Sequence, residues 1–326
     1  MIVDSPQGLF CPDGPFHLDP LGPVQRAVIT HAHGDHARAG NAAILCTPQT
    51  AALVKRRLGE GTVIEILEYG ERRRIGEVTV SLHPAGHMLG SAQVRIEGPA
   101  GVWVLSGDYK REPDPTCAPF EPLRCDVFVT EASYALPIFR WDPAANVAAE
   151  IASWWQGNAR KASLLFCYAL GKAQRLLAEL ARVTERPVFV HGAVEPFAEI
   201  YRAAGVRMLP TRLIGEERSF AGELVLAPIT ARGTPWMKRF RAFESGFASG
   251  LLRIRGTRRR RGFDRGFVIS DHADWPGVLK TIRETGAQRV LAMHGHRDAL
   301  VRWLREAGVD AAPIGLAAPP LDPEGD

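Results

Sequence analysis

The sequence THAHGDHA places His31, His33, Asp35 and His36 within six positions, directly after an apolar stretch. Imidazoles and a carboxylate alternating on one tight loop can converge on divalent cations from a single backbone segment. Three later residues extend the set: His87 in HPAGHMLGSAQV, Asp108 in VLSGDYK and His294 in VLAMHGH. Each sits near a glycine at the end of an expected strand, where a loop on a rigid sheet carries chemistry. A single His or Asp at a strand end is structural more often than not. Seven candidate ligands together suit two cations sharing one bridging carboxylate, and such a pair acts on hydrolysable anionic esters. Two cations about 3.5–4 Å apart can acidify a shared water and clamp the attacking and non-bridging oxygens of a phosphodiester.

The elements that must position these residues follow from periodicity and punctuation. Residues 24–30, 42–46, 62–67, 77–83, 93–97, 102–105 and 126–130 read as short strands separated by Gly and Pro. Pro48 opens a helix expected over 49–58. Beyond about residue 140 the pattern changes. A helix over 143–155, a strand over 163–168, a helix over 172–183, a strand over 188–191 and a helix over 195–204 alternate. Such alternation implies a parallel sheet with crossover helices. Residues 231–262 read as irregular and rich in Gly, Arg and Phe. A strand over 266–270, a helix over 276–285, a strand over 289–293 and a helix over 297–307 return to compact α/β structure. The Pro-rich end, AAPPLDPEGD, reads as loose.

The order HxHxDH, then His, then Asp, then a late His resembles the metallo-β-lactamase superfamily of dinuclear hydrolases. That resemblance implies that His31, His33 and His87 hold one metal and that Asp35, His36 and His294 hold the other. It makes Asp108 the bridge and gives Asp19, in FHLDP, a supporting role beneath the metal loop. A narrower resemblance is to the β-CASP nuclease group. Its three further signatures correspond to Glu131 in VTEASY, His272 in ISDHAD and His294 in MHGH. The implied fold is α/β: an αββα sandwich (residues 1–140 and 263–326) interrupted by a β-CASP insert (141–262). CYALGKAQRLL and HGAVEPF resemble strand-to-helix turns of that insert. Within the group, THAHGDHARAGN, PITARGTPWMKRF and GLLRIRGTRRRRGFDRGFVISDHADW look most like bacterial DNA-ligase-associated exonucleases. The resemblance implies a DNA exonuclease acting from 5′ ends in repair, with DNA ligase and helicase as pathway partners. In it His272 serves the leaving 3′-oxygen as general acid, Glu131 holds the other ring nitrogen, and Asp35 both ligates and orients the nucleophile. The cofactors it implies are two divalent ions, zinc or manganese, with iron also compatible with His and Asp donors.

Charge supports a nucleic-acid substrate through its placement. The 326 residues carry 40 Lys and Arg against 36 Asp and Glu, a balance of +4. Residues 253–265 alone hold seven arginines against Asp264, a balance of +6 in 13 residues. The remainder has 33 basic and 35 acidic residues, a balance of −2. Charge runs are usually solvated loops, but this one lies just before His272. Arg258, Arg259, Arg260 and Arg261 are therefore candidate phosphate ligands, since the guanidinium fork donates in bidentate fashion. Lys238 is a further candidate for the groove. Trp236, Phe240, Phe243 and Phe247 recur every three to four residues, a spacing that fits a helix core stripe better than a base-stacking platform. His17 and His83 read as structural, and His191 as a core residue.

Composition excludes several classes. With 46% apolar and 23% charged residues the chain can bury a core, and wholesale disorder is excluded. Five cysteines without a CxxC pair exclude a disulfide scaffold or a Cys-rich zinc module. No signal peptide or apolar run of spanning length is visible, so a cytoplasmic protein without a membrane partner is expected. Three alternatives remain at this point. RNA can replace DNA as substrate, because the sequence exposes no 2′-hydroxyl contact. A small-ester or thioester hydrolase uses the same metal motif, though it needs neither the insert nor the arginine run. A non-catalytic scaffold with a decayed site would not keep all seven ligands.

Overall fold

The computed structural model describes residues 1–315 apart from Glu216 and Arg218. The expectation of a loose end at 317–326 therefore lies outside the described residues. The fold is mixed α/β and divides into two compact units. The first is Met1–Phe139 together with the chain from His272 onward, and the second is Arg140–Asp271.

The first unit contains two sheets. One has six strands in sequence order: β1 (Val3–Ser5), β2 (Gly8–Cys11), β3 (Phe16–Leu18), β4 (Arg26–Val28), β5 (Ala43–Cys46) and β6 (Ile64–Ile66), with helix α1 (Pro48–Leu58) joining the last two. Helix α1 starts where the sequence says it should. Thr47 accepts from the Thr50 amide at 3.2 Å, and a proline occupies the first turn. The second sheet builds from β7 (Arg72–Ile75), β8 (Val78–Pro84), β9 (Ala92–Gly98), β10 (Gly101–Leu105) and β11 (Val127–Glu131). Its first four strands are antiparallel, and β10 then pairs in parallel with β11.

Leu9, Phe16, Leu18, Val28 and Leu45 from the first sheet share a core with Val80, Val94, Ile96, Leu105 and Val129 from the second, so the sheets pack face to face. Strand β10 shows the alternation this requires. Leu105 enters that core, while Val104 turns to the opposite face with Phe128.

The second unit holds one all-parallel sheet. Its elements are α2 (Ala144–Gly157), β12 (Ala162–Cys167), α3 (Lys172–Leu180), β13 (Val188–Val190), α4 (Glu195–Ala203), β14 (Thr211–Leu213), β15 (Leu224–Pro228), β16 (Phe243–Ala248), α5 (Thr257–Arg260) and β17 (Arg265–Phe267). The strand order is β14-β13-β15-β12-β16-β17. Strand β12 reads ASLLFC and is buried throughout, as expected of a central strand covered on both faces. Leu165 packs with the helices, and Leu164 and Phe166 pack with Phe220, Phe240 and Phe263 on the other face.

The chain then re-enters the first unit through α6 (Trp275–Thr285), β18 (Arg289–Met293), α7 (Arg297–Glu306) and β19 (Asp310–Pro313). Strand β18 inserts between β11 and β19. Val278, Ile282, Leu300 and Leu304 cover the outer face of the second sheet through Val104, Phe128 and Val290.

Several expectations shift. The segment 231–262 is not wholly irregular, because β16 forms there and pairs in parallel with β12 and β17. Strand β17 pairs with β16 inside the second unit. The four aromatics do not share a helix stripe. Trp236 lies on a short 3-10 turn, Phe243 and Phe247 lie on β16, and only Phe240 and Phe247 are buried. His17 and His83 are structural in the sense expected: His17 packs on Phe10, and His83 pairs with Glu121 at 3.2 Å.

Candidate metal centre

The loop after β4 is built to hold imidazoles inward. Asp19 accepts from the Thr30 amide at 2.8 Å and from the Thr30 hydroxyl at 2.6 Å, which ties the end of β4 to the turn after β3. The same carboxylate meets His36 Nδ1 at 2.8 Å. A carboxylate on one ring nitrogen fixes the tautomer and frees the other nitrogen for a metal. Thr30 Oγ1 lies 3.0 Å from His31 Nδ1 and acts in the same way there. Arg57, from α1, donates to the Ala32 and Ala37 carbonyls at 3.0 and 3.1 Å and braces the loop from behind.

His31 Nε2 and His87 Nε2 each lie 3.1 Å from His33 Nδ1. Asp108 Oδ2 stands 3.6 Å from His31 Nε2 and 4.0 Å from His87 Nε2. Those four residues offer donor atoms all within 4.8 Å of one another. The same Asp108 oxygen lies 3.3 Å from His36 Nε2, and Asp35 Oδ2 lies 3.6 Å from that nitrogen. The His294 ring is 5.9 Å from the His36 ring. Asp108 is thus placed between the His31, His33, His87 group and the His36, Asp35, His294 group. Three imidazole nitrogens converging on a buried point satisfy one another poorly, because a neutral ring has a single N–H. A divalent cation resolves that conflict, and the donor set fits one.

The backbone records the crowding. Asp19 and His294, at φ 42° and 59°, are the two non-glycine residues with positive φ among those described. Strain of this kind concentrates where structure is fixed for function. Gly107 precedes Asp108 at φ 55°, and a Cβ there would meet the Thr30 side chain at 2.7 Å. Only glycine lets the Asp108 loop approach the loop of His31 so closely.

Electrostatics follow burial and neighbours. Burial and the neighbouring imidazoles hold His31 well below its ordinary value. Burial alone would lower His36 too, but Asp108, Asp35 and Asp19 together keep it well above. Burial opposes ionisation of Asp108, yet His36 and the surrounding imidazoles overcome it and hold the carboxyl well below the usual range. His294 is lowered by burial and by His36.

Beside this cluster, Glu131 and His272 form a buried pair. His272 Nδ1 lies 2.9 and 3.1 Å from the two Glu131 oxygens, and Glu131 Oε1 also accepts from the Tyr109 amide at 2.8 Å. The His272 ring is 4.7 Å from that of His87. Asp108, Glu131 and His272 also offer donor atoms within 4.8 Å of one another. The Glu131 carboxylate already serves an imidazole and an amide, which suits holding His272 better than ligating.

The basic candidates lie in the second unit. Arg258 donates to the Phe263 and Asp264 carbonyls at 2.9 and 2.6 Å. Arg260 donates to Thr257 Oγ1 at 3.0 Å, and Arg261 lies 5.4 Å over the Phe247 ring. Arg259 and Lys238 are exposed. The fork of Arg258 is therefore engaged in closing its own turn, which sets it apart from Arg259. Sequence reasoning did not find Arg57 or Thr30, whose contacts join distant segments. It also gave no role to Lys172, Arg175 or Asp271.

No family model matches the chain. A probable DNA ligase of Opitutus terrae is 30% identical over 317 residues, 96% of this chain. The 5′ exonuclease Apollo of Gallus gallus is 29% identical over 47% of it, and the ribonuclease TTHA0252 of Thermus thermophilus is 28% identical over 57%. The chain spans 31%, 35% and 48% of the lengths of those three relatives. Among solved structures, a protein of unknown function from Enterococcus faecalis superposes with a TM-score of 0.58 at 13% identity, covering 90% of this chain and 79% of that one. That likeness concerns the fold. No described helix is long and apolar enough to cross a membrane. With HxHxDH, His87, Asp108, Glu131, His272 and His294 gathered in one unit, and with a 5′ exonuclease and a ribonuclease among its relatives, the chain fits the β-CASP nuclease group of the metallo-β-lactamase superfamily.

Proposed function

We propose that the protein is a metal-dependent nuclease, that its substrate is DNA, and that it works as an exonuclease from 5′ ends in repair. The carrying observation is the convergence of His31, His33, His87 and His36 on Asp108, with the Glu131–His272 pair beside it. In this reading the first unit is the αββα sandwich and the second is the β-CASP insert. His31, His33 and His87 would hold one ion and Asp35, His36 and His294 the other, with Asp108 available to both. Zinc and manganese suit the donors, and iron is compatible. Bound ions would supply Lewis acidity toward the phosphodiester and its attacking water. The remaining work falls to the protein. Asp35 orients the nucleophile, and its carboxylate is half exposed toward solvent. Glu131 accepts from His272 Nδ1, which turns Nε2 outward as the proton donor for the departing oxygen. Arg259, Arg260, Arg261 and Lys238 engage backbone phosphates.

DNA is favoured because the relative aligned along 96% of this chain bears the name of a probable DNA ligase. A ligase, and a helicase of the same pathway, are the proposed partners. RNA is the second reading, carried by the ribonuclease relative. Digesting 5′- and 3′-labelled DNA and matched RNA, with each metal restored to chelator-stripped protein, decides both. Mononucleotide release from the DNA 5′ end alone is expected. Preferential RNA cleavage overturns the substrate assignment, and inactivity with every metal overturns the nuclease.

A further inference from the structure

Helix α3 carries two buried cations with no role in the chemistry described above. Lys172 and Arg175 are 1% and 2% exposed, and both turn to the three residues that precede His272. Lys172 Nζ donates to the Ile269 carbonyl at 3.2 Å and lies 3.0 Å from Asp271 Oδ2. Arg175 Nη1 donates to the Ser270 carbonyl and to Asp271 Oδ1 at 2.9 Å. The start of α3 is itself fixed. Gly171 adopts φ 84°, and its amide donates to Gln174 Oε1 at 2.7 Å. Glu179, also buried, pairs with Arg182 at 3.3 Å.

Two buried cations on one carboxylate are a poor device for stability alone, since apolar packing of similar volume serves as well. They do give geometric definition, because one guanidinium nitrogen and an ammonium meet both oxygens of Asp271 and two carbonyls beside it. Asp271 is joined to His272 by one peptide bond. On the far side, the Ala273 amide donates to the Tyr109 carbonyl at 2.6 Å. Glu131 meets the ring at Nδ1, and the path of the backbone through Asp271 and Ala273 sets where that ring is delivered.

We infer that Lys172 and Arg175 are positioning residues for His272, acting through Asp271 to fix the chain segment that delivers the imidazole. This rests on the reading of His272 as proton donor to the leaving oxygen, and the test separates the two. A DNA strand expels an alkoxide that needs a proton. Thymidine 5′-(p-nitrophenyl phosphate) expels p-nitrophenolate, which does not. Rates on both are measured for the metal-loaded full chain and for Asp271→Asn, Lys172→Met, Lys172→Arg and His272→Ala, with bound metal and melting temperature recorded.

His272→Ala is expected to lose about a hundredfold or more in kcat on DNA and only about threefold on the p-nitrophenyl ester. Asp271→Asn and Lys172→Met are expected to follow the same pattern at about tenfold on DNA, with KM and metal content unchanged, and Lys172→Arg to recover most of the rate. Equal losses on both substrates for Asp271→Asn and Lys172→Met, or full DNA activity in both, overturn the positioning role while a discriminating His272→Ala leaves the donor role standing. Equal losses in His272→Ala itself overturn both. Lys172→Met retains the Arg175–Asp271 pair, so it answers the question even where Asp271→Asn does not fold.

Discussion

At the scale of single residues, the centre is organised by what each ring nitrogen is given. Asp19 occupies His36 Nδ1, Thr30 lies at His31 Nδ1, and Glu131 occupies His272 Nδ1. In each case the partner fixes the orientation of the ring. The division between His272 and the ligand cluster yields a direct prediction. His272→Ala should keep most of its bound metal, measured by elemental analysis, while kcat falls about 10²–10⁴-fold, the usual range for losing a general acid. Metal content falling in step with rate would instead make His272 a ligand, as its proximity to Asp108 and Glu131 also permits. The candidate ligands were legible because HxHxDH has few uses other than holding cations. Thr30 and Arg57 were not, because threonine and arginine in those places have many ordinary uses and their partners lie far off in sequence.

At the scale of elements, the longer helices were readable, as were β4, β5 and β6, whereas the first three strands were not. Caps and prolines mark the starts of α1 and α6, where Asp274 accepts from the Gly277 amide at 2.9 Å. Strands β1, β2 and β3 span three or four residues, too few to display alternation, and only pairing defines them. The arginine-rich turn is likewise an element made by its contacts. Asp264 accepts from the Ser245 amide at 2.8 Å and hydroxyl at 2.6 Å, and these bonds hold its carboxyl below the ordinary value. A carboxyl lowered in the folded state adds stability above its unfolded value of about 3.9, and that stability is lost as pH falls through the folded value. Ser245→Ala should therefore melt below the parent protein at pH 6, with the gap narrowing at pH 3. A gap that stays constant with pH would show that Asp264 does not depend on the hydroxyl.

At the scale of the whole molecule, charge and chemistry are carried by different units. The candidate metal ligands lie in Met1–Phe139 and the chain from His272, whereas the +6 run, residues 253–265, lies in Arg140–Asp271. Within that run the structure separates two roles that the sequence had merged. Arg258 closes the turn through two carbonyls, and Arg259 is exposed. Arg259→Ala should weaken strand binding and lower the slope of log affinity against log salt by about 0.7–0.9, with the melting temperature unchanged. Arg258→Ala should lower the melting temperature. Binding titrations at several salt concentrations check the first, and an unaltered slope removes Arg259 from the phosphate contacts.

The sequence by itself determined the donor chemistry and the alternation of strand and helix. Both are local: ligand types recur at short spacings, and periodicity reports which face of each element is apolar. Tertiary structure alone decided that Thr30 backs the His31 ring, that Arg57 braces the loop, and that Arg258 closes its own turn. It also decided that Lys172 and Arg175 meet Asp271, nearly a hundred residues away. The physical reason is that hydrogen bonds and ion pairs depend on ångström distances between groups that only the packed sheets and their crossovers bring together, and no spacing along the chain records those distances.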